Sequence, residues 1–267
     1  MVKESGLNVE PVDIIREIGS LVDRRAEAWR RIEEFISERV DVGFTHGYCP
    51  ECYSEEIAFI DKTGQPSGFD VEVMDWIAKD LGMEVTHQAI EWDGIITSLL
   101  TKKIDIIASG MSINEDRLKQ VNFTIPYWVI KQVFVTRKGS PLTVEDMLTG
   151  KKKLGVQQGT TEAKWLKEQA AAKGWNFELK SYASSPLAIE DVLNGRIDAA
   201  AMDDAPARDA AAKKEVQILG TFGMEEEDFG YAVRKEDTEL LAKVNASLKK
   251  LMASPEWEAL KKKYDLH

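Results

Sequence analysis

The 267-residue chain is short of the residues that do most metal and redox chemistry, with two cysteines and three histidines. It has no run of about 18 apolar residues, so no membrane-spanning helix is expected. H-E-x-x-H, G-x-S-x-G, G-x-x-x-x-G-K-[ST] and G-x-G-x-x-G are all missing, which removes the usual metalloprotease, hydrolase, phosphate-loop and dinucleotide signatures. Basic residues are in deficit, 35 against 46 acidic, for a formal net charge of −11. Nucleic acid and anionic membrane would both repel such a surface. No apolar stretch of signal-peptide type follows Met1-Val2-Lys3-Glu4, so the expectation is a protein that stays inside or one whose signal has been removed.

What is present is a globular balance, 43% hydrophobic and 30% charged, enough for one large domain or two small ones. Cys49 and Cys52 stand as C-x-x-C, a spacing that suits a disulfide, half a zinc site or a redox pair. A closed zinc site needs two more donors, and only His46 is near in sequence, so no metal and no cofactor are expected.

Residues 11–38 read as one amphipathic helix, with Pro11 at the first helical position and Ile14, Ile18, Leu21, Ala28, Ile32 and Phe35 on one face. The stripe is short and interrupted at Arg25, which favours a helix packed on the body over a coiled coil. From Val40 strands and helices alternate. Strands are expected at 40–45, 56–61, 84–90, 104–109, 132–137, 154–157, 177–182, 199–202 and 231–234. Helices are expected at 69–81, 94–103, 114–120, 144–148, 161–173, 186–194, 238–253 and 255–264, with Gly82 and Gly174 closing two of them. The alternation implies α/β layers with mostly parallel sheets. Two segments repeat a plan. Trp92–Gly110 runs helix, Lys-Lys-Ile-Asp, strand, and Pro186–Asp203 runs helix, Gly-Arg-Ile-Asp, strand. Each ends after a strand's carboxyl end, where open α/β sheets bind ligands, so two similar lobes with a cleft between them are expected.

Six motifs in order carry a resemblance: Val42-Gly-Phe-Thr-His-Gly-Tyr-Cys-Pro50, Gly68-Phe-Asp-Val-Glu72, Ser109-Gly-Met-Ser-Ile-Asn-Glu-Asp-Arg117, Phe123-Thr-Ile-Pro-Tyr127, Val156-Gln-Gln-Gly-Thr-Thr161 and Gly195-Arg-Ile-Asp198. From about residue 40 to 267 the chain resembles the family 3 extracellular solute-binding proteins, the polar-amino-acid receptors of ABC importers. The resemblance implies a periplasmic-binding-protein-like α/β fold: an N-terminal helical extension over 1–39, lobe 1 over 40–130 and 229–267, and lobe 2 over 131–228. It also implies a periplasmic or extracellular monomer that closes on one amino acid and is read by a membrane permease.

The chemistry fits. A free amino acid presents a carboxylate, which a forked guanidinium and backbone N–H groups satisfy, and an ammonium, which an anion satisfies. By the resemblance, Arg117 with Ser112 and the neighbouring Ser109, Gly110 and Met111 hold the carboxylate. Thr160 and Thr161 at a second helix start join them, and Asp203 takes the ammonium. Trp92 and Tyr48 flank the ligand side chain, and Gln157 and Glu162 stand with Trp92 as specificity positions. Each residue also has a plainer reading: Arg117 paired with Glu115 or Asp116, Ser112 as a cap, Trp92 as core, Tyr48 under the cysteine loop, and solvation of either Asp203 or its neighbour Asp204.

The chain departs from the family pattern in three places. About 39 residues precede the first strand, and residues 27–56 also resemble a tail segment of bacterial signalling proteins with PAS-like sensors. Glu51–Glu56 lengthens the loop after that strand. Thr45 stands where receptors for cationic amino acids carry an acid, which speaks against lysine or arginine, although Glu51 or Glu162 can substitute. Two other functions follow from the same residues: a ligand sensor reporting to a signalling partner, and a dehydratase acting on prephenate or arogenate with Glu162 as general acid. An acid in the first turn of a helix is favourable for the dipole alone, which weighs against the enzyme.

Overall fold

The computed structural model describes residues 44–48, 58–60 and 65–266, with backbone alone at 44–48 and 59–60. The expected helix at 11–38, residues 40–43, and Cys49 and Cys52 lie outside the described residues.

In chain order the first half holds β1 (Phe44–Tyr48), β2 (Phe59–Ile60), β3 (Pro66–Ser67), α1 (Phe69–Leu81), β4 (Val85–Ala89), a 3-10 turn (Trp92–Gly94), α2 (Ile95–Leu100), β5 (Ile106–Ile107), α3 (Glu115–Gln120), β6 (Val121–Phe123) and β7 (Trp128–Ile130). The rest holds β8 (Gln132–Arg137), α4 (Val144–Thr149), β9 (Lys152–Gln157), α5 (Thr161–Lys173), β10 (Phe177–Tyr182), α6 (Ser185–Leu193), β11 (Ala199–Asp203), α7 (Asp204–Lys213), β12 (Val216–Thr221), β13 (Glu227–Phe229), β14 (Ala232–Arg234), α8 (Thr238–Met252) and α9 (Pro255–Lys263).

The strongest sequence signals give the best-placed elements. In α1 the apolar positions Val71, Met74, Ile77 and Ala78 recur at helical spacing and all are buried. Gly82 ends the helix at φ 66, donating its N–H to the carbonyls of Ala78 and Lys79. Gly174 closes α5 in the same left-handed conformation. The described part of the first strand pairs over 44–48, in register with Val85–Ala89, and so runs past the expected end at residue 45.

Two five-stranded sheets make two lobes. The first has the order β4-β1-β5-β14-β6 and the second β10-β9-β11-β8-β12. Each has two parallel pairings on one side and two antiparallel pairings on the other, so the sheets are mixed rather than mostly parallel. The reason is how the chain crosses. β8 follows β7 after the single residue Lys131, and β14 follows β13, while β7 and β13 pair antiparallel as a two-stranded ribbon. A strand entered straight from such a ribbon needs no helical crossover, so it can run against its neighbours.

The repeated Ile-Asp pairs have structural duties. Asp105 takes Arg234 Nη2 at 2.7 Å, and Nη1 of the same arginine donates to the carbonyls of Leu99 and Ile104. Asp198 accepts the Lys153 N–H at 2.8 Å. Around the first sheet α1, α2, α8 and α9 bury Phe69, Leu99, Leu248 and Trp257 in one core. The second sheet is covered on both faces, by Ala188, Ile189 and Val192 of α6 on one side and Met147 and Leu166 of α4 and α5 on the other. Each fully buried aliphatic side chain contributes about 1.5–3 kcal/mol.

Candidate functional site

The loops after β4, β5, β9 and β11 meet in a cleft with about 360 Å3 of empty space. Its room for water-sized molecules is only about 20 Å3, enough for about one water.

One end of the cleft is built on Arg117. Asn114 caps α3 by accepting the Arg117 N–H, which fixes the first turn and turns the guanidinium inward. Nη1 donates to the Ser112 carbonyl at 2.8 Å, and Nη2 reaches across to the Gly159 carbonyl at 3.3 Å. The guanidinium carbon lies 5.5 Å from the centre of the Trp92 ring. Asp116 is engaged with Lys119 and Lys164. Arg117 does not stand at the surface, as its plainer reading has it: it is 8% exposed and lines the cleft.

The loop beneath is clamped. Gly110, at φ +58, donates its N–H to Asp70 Oδ2 at 2.8 Å. The hydroxyls of Tyr127 and Tyr231 donate to the same carboxyl group at 2.9 and 3.0 Å. Burial pushes the Asp70 carboxyl up to about 7, opposed by those three hydrogen bonds. Met111 accepts the Gly230 N–H, and the Ile113 N–H donates to the Asp228 carbonyl. Ser109 and Met111 are buried within this clamp and do not line the cleft.

The other end is acidic. Asp203 lines the cleft where β11 gives way to α7. Asp204 is turned elsewhere, accepting the Lys131 N–H and pairing with Arg208 at 2.6 Å. Gln132 Nε2 donates to Glu227 Oε2 at 3.0 Å and to Asp203 Oδ1 at 3.4 Å. The Thr161 hydroxyl donates to Glu227 at 2.6 Å. Glu162 is 4% exposed. Desolvation, and then the Asp203 charge, push its carboxyl up to about 8, against its own N–H and the Thr160 hydroxyl. Thr160 caps α5 by accepting the Ala163 N–H. Gln157 completes the lining, donating to the Ala183 carbonyl and accepting from the Ser185 hydroxyl.

Nine of the residues singled out from sequence line this one cleft: Trp92, Gly110, Ser112 and Arg117 from the first lobe, and Gln157, Thr160, Thr161, Glu162 and Asp203 from the second. Tyr48 ends β1, and its side chain lies outside the described residues. Sequence reasoning missed Ser185 and Pro206, both lining the cleft, and the supporting Asp70. The signal for Ser185 was the adjacent Pro186, which marks a helix start facing the same cleft. Among the described residues no three His, Cys, Asp or Glu side chains group to hold a metal, and no helix is long and apolar enough to cross a membrane.

The sequence pattern of the bacterial extracellular solute-binding proteins, family 3, matches residues 51–267. The chain belongs to this family. It is 31% identical over 211 residues to the L-cystine-binding protein TcyJ of Escherichia coli (strain K12), covering 78% of this chain and 77% of that one. It is 30% identical over 238 residues to the lysine/arginine/ornithine-binding periplasmic protein of the same strain, covering 86% and 88%. The crystal structure of the P235GK mutant of ArgBP from T. maritima superposes with a TM-score of 0.76 at 35% identity, covering 88% of this chain and 99% of that one. These relatives are binding proteins, and this family 3 chain is a solute-binding protein rather than an enzyme. That finding does not favour the dehydratase reading of Glu162.

Proposed function

We propose that the chain is the receptor of an ABC importer. It captures a polar amino acid between lobe 1 (40–130 and 229–267) and lobe 2 (131–228) and delivers it, as a monomer outside the cytoplasmic membrane, to a membrane permease. The observation that carries the reading is the cleft itself: a guanidinium from one lobe and a carboxylate from the other face one small cavity. Arg117, with Ser112 and the loop around Gly110, holds the ligand carboxylate, and Thr160 and Thr161 approach it from the second lobe. Asp203 holds the ammonium. Trp92, Gln157, Ser185 and Glu162 surround the variable part. Because the groups come from both lobes, the ligand binds the closed state more tightly than the open one and shifts the population toward it. The relatives' names, which specify cystine, lysine, arginine and ornithine, support an amino-acid ligand.

A thermal-shift screen of the protein against the twenty standard amino acids tests this, since a ligand that binds only the folded state raises the melting temperature. One or a few polar amino acids are expected to raise it. No shift with any of them, and none with ornithine or cystine, removes the proposal.

A further inference from the structure

In this reading a zwitterionic amino acid is already neutralised: its carboxylate faces Arg117 and its ammonium faces Asp203. Glu162 is then a surplus acid lining the same cavity. Acids in the first turn of a helix are ordinary when solvated, as the exposed Glu145 and Asp146 are at the start of α4. Glu162 differs in being buried. The charged groups that face it are Asp203 from β11 and Glu227 from β13, both of its own sign. Cations of the cleft and of the neighbouring helices have partners of their own: Arg117 donates to Ser112 and Gly159, Lys164 on the same helix pairs with Asp116 and Glu168, and Arg208 of α7 pairs with Asp204. A second observation marks the same corner. Gln132, 1% exposed, gives its Nε2 to Asp203 and Glu227, and its Oε1 is buried with no hydrogen-bond partner. A buried carboxyl group and an orphaned acceptor beside one cavity call for a donor that carries positive charge.

We propose that Glu162 is the specificity-determining residue of this cleft and that it selects amino acids with a cationic side chain, giving up its own proton as the second positive charge arrives. The inference rests on the amino-acid reading above and narrows it to arginine- and lysine-type ligands. In the ligand-free protein Glu162 is protonated and neutral. On binding, its O–H proton leaves to buffer, and the carboxylate left behind accepts a hydrogen bond from the ligand's guanidinium or ammonium. Raised to about 8 by its surroundings, Glu162 is mostly protonated at pH 7, so binding there releases close to one proton. Across pH 6 to 8 affinity for a cationic ligand rises with pH, because less proton has to be displaced. A neutral ligand such as L-glutamine leaves Glu162 protonated and shows neither effect.

The test is calorimetry of the full chain with L-arginine, L-lysine and L-glutamine at pH 7, in phosphate and in Tris, whose ionisation heats differ enough to count protons. L-Arginine or L-lysine is expected to bind with release of close to one proton, and L-glutamine more weakly with none. Glu162→Gln should weaken the cationic ligand about 10- to 100-fold, the worth of a charge-assisted hydrogen bond, and abolish the proton release. The wild-type proton count needs no variant, so it stands even if E162Q fails to fold. If a neutral amino acid binds best, or a cationic one binds without releasing a proton, this inference falls while the amino-acid reading survives. If no amino acid binds at all, both fall.

Discussion

A guanidinium that shares its donors between Ser112 of its own lobe and Gly159 of the other is held in a fixed plane out of bulk water. That geometry suits a bidentate grip on a carboxylate, which an ammonium on a flexible stem does not reproduce. Arg117→Lys is therefore expected to weaken amino-acid binding by about 10- to 100-fold, and Arg117→Ala by more than about 100-fold, since a buried carboxylate would be left unpaired. Calorimetry with the amino acid that gives the largest thermal shift measures both, and affinities equal to wild type would remove Arg117 from the site. The place of Arg117 in the cleft was legible through the family resemblance that Ser109–Arg117 carries. Asp70 was visible only as an acid near a helix start, since nothing local shows that Tyr127 and Tyr231, far along the chain, close over it. Its titration makes that burial testable. The folded carboxyl, at about 7, binds its proton more tightly than the unfolded one near 3.8. The native state therefore holds the extra proton between those values, and stability from this group falls as pH rises through the window and levels off above it. Asp70→Asn keeps the shape and cannot ionise. The melting-temperature advantage of wild type over D70N should shrink by roughly 5 °C between pH 5 and pH 8. A constant gap would show that Asp70 does not titrate there.

At the scale of elements, the start of α5 does the most for the cleft. Gly159 sits at φ +76, and a Cβ there would come within 3.4–3.6 Å of Asp93 and Trp92 in the opposite wall. The left-handed conformation alone makes any other residue costly by about 1–2 kcal/mol. Thr160 then caps the helix and lets Thr161 and Glu162 face inward. Thr160→Ala should lower unfolding free energy by about 1 kcal/mol and the melting temperature by roughly 2–4 °C. Denaturant titration with an unchanged slope would confirm that only the cap is lost, and an unchanged midpoint would count against the cap. Elements with their own punctuation were the ones read correctly: α1 and α5, each ended by glycine, occupy 69–81 and 161–173 as expected. Several of the missed ones carry no local signal. The strands β6, β7 and β13 are three residues each and exist because partners from distant sequence pair with them. In α7 the buried residues are Ala205, Pro206 and Ala207 of its first turn, so no apolar stripe runs along it. The first strand runs three residues past its expected end, because β4 and β5, and not its own alternation, set its register.

Across the whole molecule, the two sheets repeat one order of pairings, parallel twice and then antiparallel twice, so each lobe offers the other a matching row of strand ends. Two of the contacts that join the rows differ in kind. Arg117 reaches the Gly159 carbonyl from a buried position, while Asp116 of α3 pairs with Lys164 of α5 at the exposed rim. Both contacts span the lobes, so both favour the closed state, and by linkage anything that favours closure tightens ligand binding. Their sizes differ because their surroundings do. An exposed ion pair contributes at most about 1 kcal/mol, a factor of roughly five in affinity, and 0.5 M salt screens it over a few ångströms. Lys164→Gln should therefore weaken binding two- to fivefold at 20 mM salt and hardly at all at 0.5 M. Arg117→Lys, acting in a buried cleft, should lose the same factor at both salt concentrations. Calorimetry of the two variants at the two salts separates them: equal salt sensitivity would mean that the rim pair is not what the ligand closes, and that the lobes are held by the cleft alone.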